Sequence, residues 1–354
     1  MLAWTRALPV VAVVVLAIGL FAGPLGWLLA VLAGAALGGG VMAAVHHAEV
    51  IAHRVGEPFG TLVLAIAVTV IEASLILSMM VAGGADMAVL PRDTIYAAVM
   101  IICNGVVGLC LLMGGLAHRE QTFRVEGSGA GLAALVVMAS LTLVLPDFTR
   151  SSPEGSYTQP QMLFVAVGSA TLWAVFVFIQ TVRHRDYFLP QIGDPQAHAE
   201  PPSTGETWAS LGFLLVSLVG VVGLAKVLSP TIELLVAHAG APRTVVGIVI
   251  AIVVLLPETV AAVRAAREDR LQTSMNLAIG SALASIGLTI PVVVLTAVAF
   301  DLPLVLGLDP MELALLAITF IVNAITLGSG RTHMMQGAVH LVLFAAFLFL
   351  AVVP

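Results

Sequence analysis

The sequence predicts an all-α membrane protein of about 11 transmembrane helices: one extra N-terminal helix followed by two inverted five-helix repeats. Three observations predict it. The chain is 60% hydrophobic and only 10% charged, with mean hydropathy +1.10, whereas a soluble chain carries about 25% charged residues. Apolar stretches of roughly 20 residues, the length that crosses a bilayer, recur along its whole length. Two of these stretches carry one carboxylate each at matching depth: Glu72 in GTLVLAIAVTVIEASLILS (60–78) and Glu258 in GIVIAIVVLLPETVAAV (247–263). A carboxylate at the bilayer midplane costs several kcal/mol unless it is protonated, paired or metal-bound.

Taken in order, the segments run over about 8–22, 25–45, 57–83, 93–116, 128–146 and 161–182, then 207–227, 242–267, 272–299, 310–328 and 332–352. Arg6 before an apolar run resembles the start of a signal peptide. No small-residue cleavage site follows and further spans do, so 1–24 reads as a first membrane helix. The second through sixth segments form one unit, 25–182, and the last five form another, 207–354. Between them lies a linker, 183–206, rich in Pro, Gly and charge, with Asp186, Asp194, His198, Glu200 and Glu206. The stretch SPTIELLVAHAG (229–240) is too short to span and reads as an interfacial or re-entrant helix.

Orientation follows from Lys and Arg alone. With the N-terminus cytoplasmic, ten arginines (Arg6, Arg54, Arg119, Arg124, Arg183, Arg185, Arg264, Arg267, Arg270 and Arg331) fall inside. Arg92, Arg150, Lys226 and Arg243 fall outside, and eleven spans place the C-terminus outside. The expected location is the cell inner (plasma) membrane, and the expected partner is membrane lipid. The net charge of −6 and the lack of any basic patch predict no nucleic-acid partner. Cys103 and Cys110 share one predicted helix and read as packing residues rather than a disulfide. Nothing in the sequence specifies an oligomeric state.

An odd number of helices per unit inverts the second unit relative to the first. Inverted repeats place a binding site near the midplane between them. Glu72 and Glu258 each lie in the second helix of their unit and can meet there from opposite sides. In the ninth segment, Ser281, Ser285 and Thr289 fall at i, i+4 and i+8, one face of a helix. Asn104, Gly105 and Gly108 occupy the corresponding place in the fourth segment. Hydroxyl and amide oxygens there can line an ion path or make ordinary helix–helix hydrogen bonds. Pro257 removes a backbone donor and frees the carbonyl of Val253 beside Glu258.

Two buried carboxyls hold protons when no ion is bound, because low dielectric favours the neutral form. A hard cation favours the ionised form and displaces those protons. A site that holds one or the other exchanges cations for protons when it opens alternately to the two sides. No cofactor is expected; Ca2+, Na+ or K+ and H+ would be substrates. Two other classes share parts of the pattern. A channel would use the helices without needing proton-linked carboxylates. An intramembrane metallohydrolase would use His46, His47 and His53, which with Glu49, Arg54 and Glu57 crowd the start of the third segment. That cluster also reads as a proton relay at the cytoplasmic mouth, with Glu57 and His53 its leading members, or as an interfacial polar turn.

The stretch HAEVIAHRVGEPFGTLVLAIAVTVIEASLI (47–76) resembles the first repeat of bacterial calcium/proton antiporters of the cation/proton exchanger family, within the calcium/cation antiporter superfamily. RDTIYAAVMII (92–102), LLPETVAAVRAA (255–266), MNLAIGSALASIGLTIPVV (275–293) and GRTHMMQGAVHLVLFAA (330–346) share that resemblance. It covers the chain from about residue 25. It implies that Glu72 and Glu258 bind cation and protons in turn, helped by Asn104, Ser281 and Ser285. Calcium is the leading substrate. Many members carry an Asn three residues before each key carboxylate; here those positions are Thr69 and Leu255. Thr69 can offer a hydroxyl and Leu255 nothing, so a Na+(K+)/H+ antiporter with relaxed selectivity is the alternative.

Overall fold

The computed structural model describes residues 3–21, 26–56, 59–153, 155–189, 202–238, 240, 242 and 244–353. Its helices are α1 (Ala3–Phe21), α2 (Trp27–Val55), α3 (Phe59–Gly83), α4 (Leu90–His118), α5 (Val125–Phe148) and α6 (Gln159–Arg183). They continue as α7 (Thr204–His238), α8 (Thr244–Arg267), α9 (Leu271–Ala299), α10 (Pro310–Gly328) and α11 (Met334–Val352). Among the described residues, nine of these are long and apolar enough to cross a membrane. α8 makes a tenth, bent by 51° between Leu256 and Glu258. α3 carries a described apolar stretch over Ala65–Val81. The all-α membrane fold predicted from composition is the fold observed.

Packing is reciprocal between the two sets of five helices. α3 lies along α9 and α4 along α8, the second helix of one set against the third of the other in both directions. α4 also packs on α11 and α9 on α6, third against fifth in both directions, while α2 packs on α7, first against first. α4 and α9 are therefore central: 89% and 61% of their most apolar windows are buried, against 17% for α11. Close approach needs small residues. A side chain at Gly337 of α11 would strike the backbone of Leu112 in α4, and one at Gly220 of α7 would meet Ala12 of α1 at 2.9 Å.

The two ends of the bundle are tied differently. At one end, β1 (Glu120–Thr122) pairs antiparallel with β2 (Arg331–His333), and His118 Nε2 meets the Arg267 carbonyl at 2.9 Å. Arg54 donates to the Pro202 carbonyl at 3.1 Å at the same end. At the other end, buried Arg92 donates to Asp93 and to the Gly307 carbonyl, both at 2.8 Å. Asp309 caps α10 there, its N–H donating to Glu312 Oε2 at 3.1 Å. Glu312 thus caps the helix from a buried position.

Two expectations are corrected. Residues 229–240 do not form a separate interfacial helix: α7 runs unbroken from Thr204 to His238 with Pro230 inside it. Proline removes one backbone donor, and the helix on either side of it is long enough to carry through. The histidine cluster is not a turn before α3 either. α2 continues to Val55, since neither Gly nor Pro falls between Gly40 and Gly56, and places basic His53 and Arg54 in its last turn, where the helix dipole favours them.

That continuation sends the histidines in different directions. His53 is exposed, and Glu57 lies outside the described residues, as do Asp194, His198 and Glu200 of the linker. His46 packs on Trp4, with ring centroids 5.6 Å apart. His47 is fully buried and stacked on Phe213 of α7 at 5.3 Å. Its Nε2 meets the Thr5 carbonyl at 2.9 Å and its Nδ1 meets Ser210 Oγ at 3.3 Å. Pro9, four residues after Thr5, has no N–H to give that carbonyl, so His47 supplies the missing donor. A carbonyl only accepts; the proton therefore sits on Nε2, and Ser210 donates to Nδ1. Among the described residues, no three His, Cys, Asp or Glu side chains converge as a metal site.

His47→Ala should lower the stability of the purified protein by about 1–3 kcal/mol, because it strands a buried carbonyl and a buried hydroxyl. The measurement is the thermal midpoint in detergent. A midpoint equal to wild type would show that His47 does not join α1 to α2 and α7.

Candidate functional site

Glu72 lies midway along α3 and Glu258 just past the bend in α8, and both are buried (2% and 6% exposed). Both carboxylates are held by the same helix. Ser285 Oγ of α9 donates to Glu72 Oε2 at 2.6 Å, and Ser281 Oγ donates to Glu258 Oε2. Four residues of α-helix rise about 6 Å, so α9 anchors the two carboxylates one turn apart. The hydroxyls of Ser281 and Ser285 are thus spent on carboxylates rather than on the backbone of α9.

Two polar atoms beside this ladder are buried with no protein partner among the described residues. One is Glu72 Oε1; the other is the hydroxyl of Thr289, the next rung of the same face of α9. A buried polar atom without a partner costs about 1–3 kcal/mol. A cation, a proton or a water at the pair relieves that cost.

The remaining candidates are placed less centrally. Thr69 is buried one turn before Glu72, but its hydroxyl proton goes to the Ala65 carbonyl at 2.8 Å, leaving only its lone pairs for an ion. Leu255, one turn before Glu258, is buried and apolar. Asn104 is not hydrogen-bonded to either carboxylate. It sits in a widened turn of α4 (Ile101–Val106) and donates to Thr319 Oγ1 of α10 at 2.9 Å. Asn323 continues that network, donating to the Thr319 and Cys103 carbonyls at 2.8 and 3.3 Å. His340 of α11 meets Thr326 at 3.1 Å. Asn323 and His340 thus make the helix–helix bonds expected of polar residues in a membrane bundle.

A small cavity of about 20 Å³ touches Glu258 and Ser281, walled by α3, α6, α8 and α9. It also touches Gln180 and Asn276, which the sequence reading left out. The available signal was polar side chains among the apolar residues of the sixth and ninth segments. A larger apolar groove between α5 and α6, about 340 Å³, includes no carboxylate.

The family model for the sodium/calcium exchanger protein matches residues 25–182 and 209–353. A Sinorhizobium fredii protein described as an ionic transporter, y4hA, is 48% identical over 322 residues, 90% of this chain and 87% of that one. The sodium-potassium/proton antiporter ChaA of Escherichia coli is 35% identical over 309 residues, 86% and 83% of the two chains. Among solved structures, the H+/Ca2+ exchanger CAX superposes with TM-score 0.72 at 13% identity, over 98% of this chain and 87% of that one; this likeness is one of fold. With a family model matched along most of its length, this multi-pass membrane chain belongs to the sodium/calcium exchanger protein family, a family of cation transporters.

Proposed function

We propose that the protein is a secondary active antiporter that exchanges cations for protons at the Glu72–Glu258 pair by alternating access. The observation that carries this reading is the anchoring of both buried carboxylates to neighbouring serines of one helix. Two unpaired negative charges in a low-dielectric core are costly. The pair is therefore stable when protonated or when a cation lies between the carboxylates, and unstable when empty. Exchange follows: an entering cation expels protons, and entering protons expel the cation. The bend at Pro257 and the reciprocal packing of the two sets of helices suit a site opened from either side in turn.

The repeat reading, with units 25–182 and 207–354 joined by the linker 183–206, is supported by the same family model matching two stretches of the chain. The arginine count supports a plasma-membrane orientation with the N-terminus in the cytoplasm and the C-terminus outside.

The donor set bears on which cation is carried. Calcium takes six to eight oxygens. The pair offers two carboxylates and two serine hydroxyls, while Thr69 is back-bonded and Leu255 is apolar; Asn104 donates its amide nitrogen to Thr319 and keeps only its Oδ1 open. A set this small favours relaxed selectivity, with sodium and potassium accepted beside calcium. The 35% identity to a sodium-potassium/proton antiporter supports the same reading.

Purified protein in liposomes with an imposed pH gradient, given calcium, sodium and potassium separately, tests this. All three should drive proton movement. Movement with calcium alone would restore strict calcium/proton exchange, and none with any ion would overturn antiport. Glu72→Gln and Glu258→Gln should each abolish coupled exchange while leaving the thermal midpoint near wild type; normal coupled transport in either sinks the mechanism. Ser285→Ala removes a hydrogen bond to a charged group and should raise the half-saturating cation concentration about tenfold, read from uptake titrations. An unchanged value would exclude the serine from the site.

A further inference from the structure

The groove between α5 and α6 lies apart from the carboxylates. It sits at the end of the bundle that carries Arg92. There Leu306 and Gly307 both donate to the Gly155 carbonyl at 2.9 Å, and Arg92 donates to the Gly307 carbonyl. The walls of the groove are Leu145, Phe148, Pro160, Phe164 and Val165. Phe148 and Phe164, each 68% exposed, form its lips on two helices long and apolar enough to cross a membrane. Its volume of about 340 Å³ falls within the roughly 300–1,000 Å³ of small-ligand pockets. The polar groups that line it are engaged inside the protein. In a widened turn of α5 (Ser140–Val144) the Leu145 N–H reaches back five residues to the Ser140 carbonyl. The next donor in that register would be Pro146, which has none, and the Tyr157 hydroxyl takes the Leu141 carbonyl instead at 2.7 Å. Thr149 donates to the Pro146 carbonyl at 3.1 Å, and Gln161 bonds Thr158 at 2.8 Å and Ser151 at 3.0 Å. Arg150, the residue after Thr149, is the contrast. It is exposed, and among the described residues it makes no hydrogen bond or ion pair.

We propose that this groove binds one acyl chain of an anionic glycerophospholipid whose phosphate pairs with Arg150. Three observations select that occupant. The groove opens sideways from two spans, so what reaches it in the bilayer is a lipid tail. Its walls are apolar and its polar atoms are already bonded, which suits a chain with no hydrogen-bonding groups of its own. Arg150 stands uncommitted two residues past the end of α5, where the bilayer interface begins, and a guanidinium matches a phosphate in charge and in its fork of donors. An apolar chain joined to an anionic head at one end is the chemistry of a phospholipid.

The test uses full-length protein in phosphatidylethanolamine liposomes. The probe is a phosphatidylglycerol with a photoreactive diazirine in one acyl chain. After irradiation and peptide mapping, label should concentrate on residues 141–165, which carry the groove, rather than spread over the other lipid-facing helices. A phosphatidylcholine with the same diazirine should label that stretch several-fold less. Arg150→Ala should cut labelling by phosphatidylglycerol about fivefold, and Arg150→Lys should keep most of it. Leu145→Trp, which fills the groove, should abolish the labelling with the thermal midpoint unchanged; if the midpoint falls, the wild-type map and the Arg150 variants decide. Even labelling along all lipid-facing helices, equal labelling by the two lipids, or an Arg150→Ala variant that labels like wild type overturns the proposal. So does a dimer that shields 141–165 from label and falls apart in Leu145→Trp, since a second copy would then occupy the groove. No readout involves transport, so the outcome is independent of exchange at Glu72 and Glu258.

Discussion

Burial of two carboxylates in the centre of a membrane bundle is the constraint on which the rest of the structure depends. Among the described residues, neither Glu72 nor Glu258 has a basic partner in its hydrogen bonding; each is held by a serine hydroxyl of α9. A hydroxyl can donate to an ionised carboxylate and accept from a protonated one, so this environment suits either protonation state. An arginine in the same place would hold the carboxylates ionised and exclude protons and cations alike. The buried arginine that does occur, Arg92, is kept at the far end of α4 with Asp93 and the Gly307 carbonyl.

Helix packing serves that constraint. α9 must reach both α3 and α8, and 61% of its most apolar window is buried in doing so. Its serines lie four residues apart, matching the helical repeat that keeps them on one face. α8 breaks direction next to Glu258, where Pro257 has removed a backbone donor. The widened turn in α4 performs a different task. It holds Asn104 toward α10, building a second buried polar network with Thr319 and Asn323 that is separate from the carboxylates.

The extra first helix is integrated with the bundle by a polar contact as well as apolar ones. Ala12 and Leu16 of α1 lie against Gly220 and Gly223 of α7. The carbonyl freed by Pro9 is taken up by His47 of α2, which also binds Ser210 of α7. One imidazole thus links three helices, including the first helix of each five-helix set. A residue that reads as part of a charged surface cluster is instead a buried joint.

Much of this protein was legible in the sequence because lipid imposes rules that act locally. A helical span needs about 20 apolar residues, so the membrane class and the run of spans follow from the order of residues alone. Ser281 and Ser285 were legible as one helical face. Their partners were not: Glu72 and Ser285 are 213 positions apart, and hydropathy does not say how a helix is rotated about its axis. Rotation decides that Asn104 faces Thr319 rather than a carboxylate, that His47 points inward while His53 points out, and that Gln180 and Gly280 border the space beside Glu258. In a chain whose helices are apolar on nearly every side, tertiary packing selects which few polar atoms meet.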